Sequence, residues 1–271
     1  MVINRIYGNN FILVVILTFQ GESMRTKTSN QTLLFSALLA ILLTAPISHA
    51  QAQVVTNSIG MKLQPMAIEV GSPLGHFSMG VYEVTQEQFE KVIGTNPSLN
   101  WDKRQYPVER VSWIVATEFC RKLSKLPAEK NAGHVYRLPT SAEWDYACRA
   151  GTKTKYSFGD DATTLNDFAW YRENSGSSTH PVGQKKPNPW GLYDMYGNVH
   201  EWVSDQKNEV IDPGPFASVR GPLVISYGYF RGGGFDTTAR VIQESDMART
   251  HLKKANLGFR VARGPASKSS K

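Results

Sequence analysis

Between Gly151 and Pro222 the chain holds few periodic apolar runs; Gly, Pro, Asn and Asp recur instead, with Trp and Tyr scattered among them. Neither the 3.6-residue period of a helix nor the 2-residue period of a strand is sustained there. Loops of this length are uncommon in compact domains unless something pins them, and buried aromatics and bound cations are the usual means.

Three helices can be read from caps and spacing. Thr85-Gln86-Glu87-Gln88 is a capping box, followed by apolar Phe89, Val92 and Ile93 and stopped by Gly94. Ser112 caps a second helix, whose buried stripe is Ala116, Phe119, Cys120 and Leu123. Thr140-Ser141-Ala142-Glu143 is another capping box, leading into Trp144, Ala147 and Cys148, with Gly151 as the stop. The i, i+3 and i+4 spacings put each apolar set on one face. Strands are expected at Leu223–Phe230 and Gly258–Ala262.

With 41% hydrophobic and 11% aromatic residues in 271, the chain is not disordered, and two cysteines can build neither a disulfide scaffold nor a four-Cys zinc site. No repeat and no low-complexity linker divides its body, so a single domain over residues 51–264 is expected, with 265–271 a disordered, solvated tail. The first fifty residues read as an address. Arg25 and Lys27, the apolar run Leu33–Leu43 and the small residues of Ser48-His49-Ala50 have the three parts of a secretory signal over residues 24–50. Met24 opens that pattern, which makes residues 1–23 an upstream misreading of the start; a retained anchor is the alternative. The expectation is export, to the periplasm, cell envelope or medium, with membrane contact only through the signal. Without residues 1–50 the chain has 27 basic and 22 acidic side chains, a net charge of +5, and no basic run interleaved with aromatics, so a nucleic-acid partner is not expected.

Seven stretches lie in register with one known family. They are Asn57-Ser-Ile-Gly-Met-Lys62, Tyr82-Glu-Val-Thr-Gln86, Pro107-Val-Glu-Arg-Val-Ser-Trp113, Tyr136-Arg-Leu-Pro-Thr-Ser-Ala-Glu-Trp144, Gly191-Leu-Tyr-Asp-Met-Tyr-Gly-Asn-Val-His-Glu-Trp202, Arg231-Gly-Gly-Gly234 and Asn256-Leu-Gly-Phe-Arg-Val-Ala-Arg263. Through them the chain resembles the formylglycine-generating enzymes, or sulfatase-modifying factors. The resemblance implies an α+β, C-type-lectin-like fold with much irregular structure.

The same resemblance exposes a departure. Enzymes of the family that oxidise a substrate cysteine to formylglycine hold copper between two cysteines that follow the Arg-Gly-Gly motif, and soft thiolates are what select Cu(I). Thr237 and Ile242 stand at those positions here, and no cysteine follows Cys148. Copper is therefore not expected, and no catalytic residue can be carried over. The family's helical cysteines pair with partners near the C-terminus, where this chain has Val261. The leftover Cys120 and Cys148 are then expected to bridge to each other, as cysteines of exported proteins tend to, with buried inert thiols as the alternative.

Two further sites come from the resemblance. A calcium site would take the side chains of Asp194 and Glu201 and the backbone carbonyls of Gly197 and Val199, a hard-oxygen set that suits the ion. A substrate-type groove would be framed by Arg231, Phe235, Asn256 and Arg260, although Arg260 can equally be structural and pair with Glu143 or Asp145. His200 stands where the family commonly has Trp, and the scattered histidines do not suggest zinc. The reading that follows is a non-catalytic binding or accessory module for a peptide, glycan or protein ligand. Two others stay open: an oxidoreductase maturing sulfatases through a divergent centre, and a calcium-stabilised structural component of the cell envelope.

Overall fold

The computed structural model describes residues 53–264, apart from 67, 69–70, 100–101, 212–222, 245–247 and 251. The expected signal (24–50), the upstream segment (1–23) and the tail (265–271) lie outside the described residues.

Two antiparallel-rich sheets and a set of short helices make up an α+β fold. Strands β1 (Val55–Thr56), β2 (Lys62–Pro65), β3 (Ser78–Gly80), β4 (Tyr136–Arg137) and β9 (Ala262–Arg263) form the first sheet, in the order β1-β2-β3-β9-β4. The second sheet has the order β7-β6-β5-β8, from β5 (His200–Ile211), β6 (Leu223–Arg231), β7 (Ala248–Thr250) and β8 (Leu257–Gly258). Its long β5–β6 pair is antiparallel, with an irregularity between Trp202 and Gln206, whereas β8 joins β5 in parallel.

The three helices form where the caps place them. Helix α1 (Gln86–Ile93) starts at Thr85 with both capping-box bonds made and ends at left-handed Gly94. Helix α2 (Trp113–Lys125) is capped by Ser112 and buries Ala116, Phe119, Cys120 and Leu123, the stripe read from the sequence. A one-turn helix α3 (Pro127–Asn131) follows it. Helix α4 (Ser141–Arg149) has the Thr140 capping box, but its left-handed cap is Ala150 at φ 49°, one residue ahead of the expected Gly151. Short α5 (Leu165–Phe168) and α6 (Ala239–Glu244) complete the set.

Two expectations need correction here. The strand β5 begins inside a stretch read as irregular, because its first residues are buried on both sides and lack alternation: Glu201, Trp202 and Val203 are all inaccessible. The single strand expected over Gly258–Ala262 is split between the sheets. Leu257 and Gly258 pair with β5, Ala262 and Arg263 pair with β3 and β4, and Phe259, Arg260 and Val261 cross the core between them with no exposed surface. This crossing is what carries a charged side chain into the middle of the molecule.

The core has two clusters. One gathers Leu63, Val84, Phe89, Phe119, Trp202, Phe259 and Val261, with Phe89 stacked on Phe119 at 5.6 Å and Phe259 set edge-on to Phe119 at 5.2 Å. Burying each such ring stabilises the fold by roughly 1.5–3 kcal/mol. The other gathers Trp144, Tyr156, Leu165, Leu192, Met195, Val203 and Ile242 beneath the loops. Those loops are pinned by side chains as well as by packing. Asn188 accepts from the backbone N–H groups of Trp190 and Leu192 and donates to the carbonyls of Ala147 and Cys148.

The expected Cys120–Cys148 bridge is not made. Cys120 belongs to the first cluster and Cys148 to the second, both as free buried thiols. A shared apolar face on each helix brought both inside without bringing them together. Burial pushes both thiols up, Cys148 to about 12 and Cys120 further, so neither is a nucleophile at neutral pH. Accordingly, a thiol reagent will find both cysteines only after unfolding, and dithiothreitol will move the melting temperature by no more than about 1 °C.

Candidate functional site

The segment Gly191–Trp202 turns sharply twice before entering β5, with Asp194 at φ 61° and Asn198 at φ 66°. Asp and Asn tolerate this left-handed region better than most residues do. Asn198 has no exposed surface and ties four separate segments together. Its N–H donates to the Trp170 carbonyl at 2.7 Å, its carbonyl accepts from Phe235, and its side chain bonds His180 and Glu83.

Beneath these turns lies a buried charge centre. Arg260 donates from Nε and Nη2 to the two carboxylate oxygens of Glu201, each at 2.6 Å, and from Nη1 and Nη2 to the carbonyls of Gly80 and Tyr193. Trp144 Nε1 donates to Glu201 Oε2, also at 2.6 Å. Glu83, 1% exposed, accepts from Asn198 Nδ2 at 2.7 Å and from the Val199 N–H at 3.0 Å. Asp194 Oδ2 accepts from the Gly183 N–H at 2.7 Å, while its Oδ1 is buried with no hydrogen-bond partner among the described residues.

Three buried carboxylates thus face one guanidinium. Burial raises Glu83 well above the usual carboxylate range, and the charges of Asp194 and Glu201 raise it further against the pull of Arg260. Asp194 is raised to about 6, again chiefly by burial, with the Gly183 bond and Arg260 opposing. Such a centre is short of positive charge, and either a proton or a cation supplies it.

Of the four ligands carried over for calcium, the fold brings Asp194, Gly197, Val199 and Glu201 into one turn and strand start, but their side chains are engaged differently. Glu201 is committed to Arg260 and Trp144, whereas Asp194 has an oxygen left over. Among the described residues no three His, Cys, Asp or Glu side chains converge as a metal-holding group. Sequence reasoning passed over Glu83. Its place in Tyr82-Glu83-Val84-Thr85, just before a helix cap, was visible, but the Asn198 that it meets is 115 residues away.

The groove residues also divide. Arg260 is not on a groove: it is fully buried, and its partner is Glu201 rather than Glu143 or Asp145, which pair with Arg137 and Arg149. Arg231, Phe235 and Asn256 are half-buried and make separate contacts; the Asn256 carbonyl accepts from the His200 N–H at 2.8 Å. Arg231 Nε donates to Ser141 Oγ at 2.8 Å, the Phe235 N–H donates to Asn198, and Asn256 Nδ2 donates to both Asp236 oxygens. His200 lies 2.8 Å from the Gly232 carbonyl through Nδ1, which fixes the proton on that nitrogen and leaves Nε2 as acceptor. Thr237 Oγ1 donates to Nε2 at 3.2 Å and accepts from the Gly234 N–H at 2.9 Å. Burial lowers the His200 pKa, so the ring is neutral at pH 7. Ile242 packs in the second core cluster at 3% exposure. A hydroxyl spent on a histidine and a buried hydrocarbon do not fit Cu(I), which takes soft thiolates.

Known proteins of the same build agree with this architecture. The chain is 34% identical over 174 residues to the chaperone protein LppX of Paenibacillus barcinonensis, covering 48% of this chain and 62% of that protein. It is 30% identical over 197 residues to the formylglycine-generating enzyme of Mycobacterium tuberculosis, covering 61% of this chain and 60% of the enzyme. In both cases it spans less than two thirds of the relative's length. The solved structure of Treponema denticola variable protein 1 superposes with a TM-score of 0.63 at 27% identity, over 79% of this chain and 99% of that one. The sulfatase-modifying factor enzyme 1-like domain matches residues 69–265, most of the chain, and the chain belongs to that family.

Proposed function

We propose that this protein is an exported, non-catalytic binding or accessory module that keeps the fold of the formylglycine-generating enzymes without their copper centre. One observation carries the reading: at the two positions where the enzymes hold copper, Thr237 is hydrogen-bonded to His200 and Ile242 is packed in the core. The name of LppX as a chaperone favours an accessory role toward another polypeptide. The test is incubation of the protein with a Cys-x-Pro-x-Arg peptide, copper and oxygen, followed by mass spectrometry. No mass change at the cysteine is expected; a change that requires this protein would establish the sulfatase-maturing alternative and demand a different oxidising centre.

Calcium belongs to the same reading, and the orphaned Asp194 Oδ1 supports it. Asp194 and the carbonyls of Gly197 and Val199 would hold the ion, and Glu201 would join by giving up part of its pairing with Arg260. The ion would supply the positive charge that the three carboxylates lack, fixing the loops rather than doing chemistry. Calcium at a hundred times its Kd would then stabilise the fold by about 2.7 kcal/mol, read as a rise in melting temperature. Asp194→Ala is expected to abolish that rise; an equal rise in the variant would place any calcium elsewhere. Loss of folding on chelation with no ligand preference would favour the envelope component.

A further inference from the structure

Alongside helix α2, between its outer side and strand β4, the surface holds a groove of about 430 Å³, within the ~300–1,000 Å³ of ligand-binding clefts. It shares no lining residue with the Asp194–Arg260 centre or with the His200 neighbourhood. Trp113, Val135 and Leu138 supply apolar lining, and Val135 is 45% exposed, a large hydrophobic residue left uncovered beside it. Arg121, Lys125 and Arg137 also line it, and no acidic residue does.

The positive charge is only partly answered. Arg137 is bidentate to Glu143, at 2.6 Å for each contact. Arg121 pairs with Glu118 on the same helix, an exposed pair of the kind worth little. Lys125 is exposed in the last turn of α2, with no ion pair among those of the described residues. The polar groups in the wall have a direction too. Thr117 Oγ1 is buried without a hydrogen-bond partner and can donate to an incoming carbonyl.

Strand β4 is an edge of the first sheet, and an edge ordinarily invites another strand. Here Ser124 Oγ accepts from the Tyr136 N–H at 2.8 Å and donates its own proton to the Cys120 carbonyl at 2.8 Å, so that the donor on this part of the edge is occupied. Recognition must therefore run through side chains rather than strand addition.

We propose that this groove docks an acidic peptide segment of a partner protein, with one aromatic or aliphatic side chain against Trp113, Val135 and Leu138 and flanking carboxylates on Lys125 and Arg121. The charge complementarity selects the occupant: an apolar segment alone would leave Lys125 unanswered, and a basic one would be repelled. The site is separate from the copper position, so its test stands whether or not the peptide-oxidation assay comes out as expected.

The probe is a fluorescein-labelled peptide Gly-Asp-Glu-Phe-Glu-Asp-Gly, read by anisotropy with the mature protein at low and high salt. Binding that weakens with salt is expected, together with a loss of about tenfold or more on Lys125→Glu and on exchanging the peptide's acids for Lys. Replacing the peptide's Phe with Gly is expected to weaken binding to a similar degree. Lys153→Glu, an exposed site outside the groove, is the control expected to leave binding unchanged. Equal binding of acidic and basic peptides, or full binding by Lys125→Glu, would overturn the proposal. So would no peptide binding by protein that instead captures phosphatidylglycerol vesicles through Lys125, which would make the groove a lipid site.

Discussion

Arg260→Met is expected to cost about 3–5 kcal/mol, a large part of the roughly 5–15 kcal/mol that holds a domain together. The substitution keeps much of the volume but strands Glu201, whose two oxygens both depend on the guanidinium, beside the buried carboxylates of Glu83 and Asp194. It also releases the carbonyls of Gly80 and Tyr193, which Arg260 satisfies from the centre of the molecule. Urea unfolding measures the loss. Combining Arg260→Met with Glu201→Gln is expected to recover about 1–3 kcal/mol, because the double variant removes the stranded charge and still offers Trp144 an acceptor. A loss below about 1 kcal/mol for Arg260→Met, in the range of an exposed ion pair, would mean that the centre is solvated and the pairing incidental.

Gly197→Ala is the second large effect, expected at about 3 kcal/mol or more, at or beyond the upper end of the usual overpacking range. A methyl group there would meet the Trp170 carbonyl oxygen at 2.2 Å and its carbon at 2.8 Å, and backbone cannot swing aside as a side chain does. That oxygen is the acceptor for the Asn198 N–H, so relieving the clash pulls on the residue that also holds Glu83 and His180. Thermal melting reads the stability. The expected variant melts well below the parent; one within about 1 °C of it would show that the 170 and 197 segments can separate freely.

Both effects arise where the sequence was least informative. The helices were legible because a capping box and an i, i+3, i+4 stripe are local facts: Thr85 and Gln88, or Thr140 and Glu143, are three residues apart. The family's motifs, the missing cysteines after Cys148 and the hard-oxygen character of Asp194 were equally open to reading. Strand β5 was not, because Glu201–Val203 are buried in succession and Gln206–Asn208 are exposed in succession, so neither half displays alternation. Nor was the fate of the cysteines. Their helix faces pointed to burial, which holds, but burial in one core cluster or two is decided by how α2 and α4 are set against the sheets.

Charge pairing shows the division most sharply. From the sequence, Arg260 could be assigned to a groove or to Glu143 or Asp145, and all three assignments respect its chemistry. Its actual partner is 59 residues away, brought there because the chain crosses between the two sheets at Phe259–Val261. In the same way the Thr237 hydroxyl meets His200 across 37 residues, and Glu83 meets Asn198 across 115. The sequence by itself determined which local elements form, which family the motifs resemble and which soft ligands are absent, since each depends on residue identity at short or fixed spacing. Only the tertiary structure decided which charges neutralise one another and which oxygen is left over, because those outcomes depend on approach within a few ångströms between segments the sequence keeps far apart.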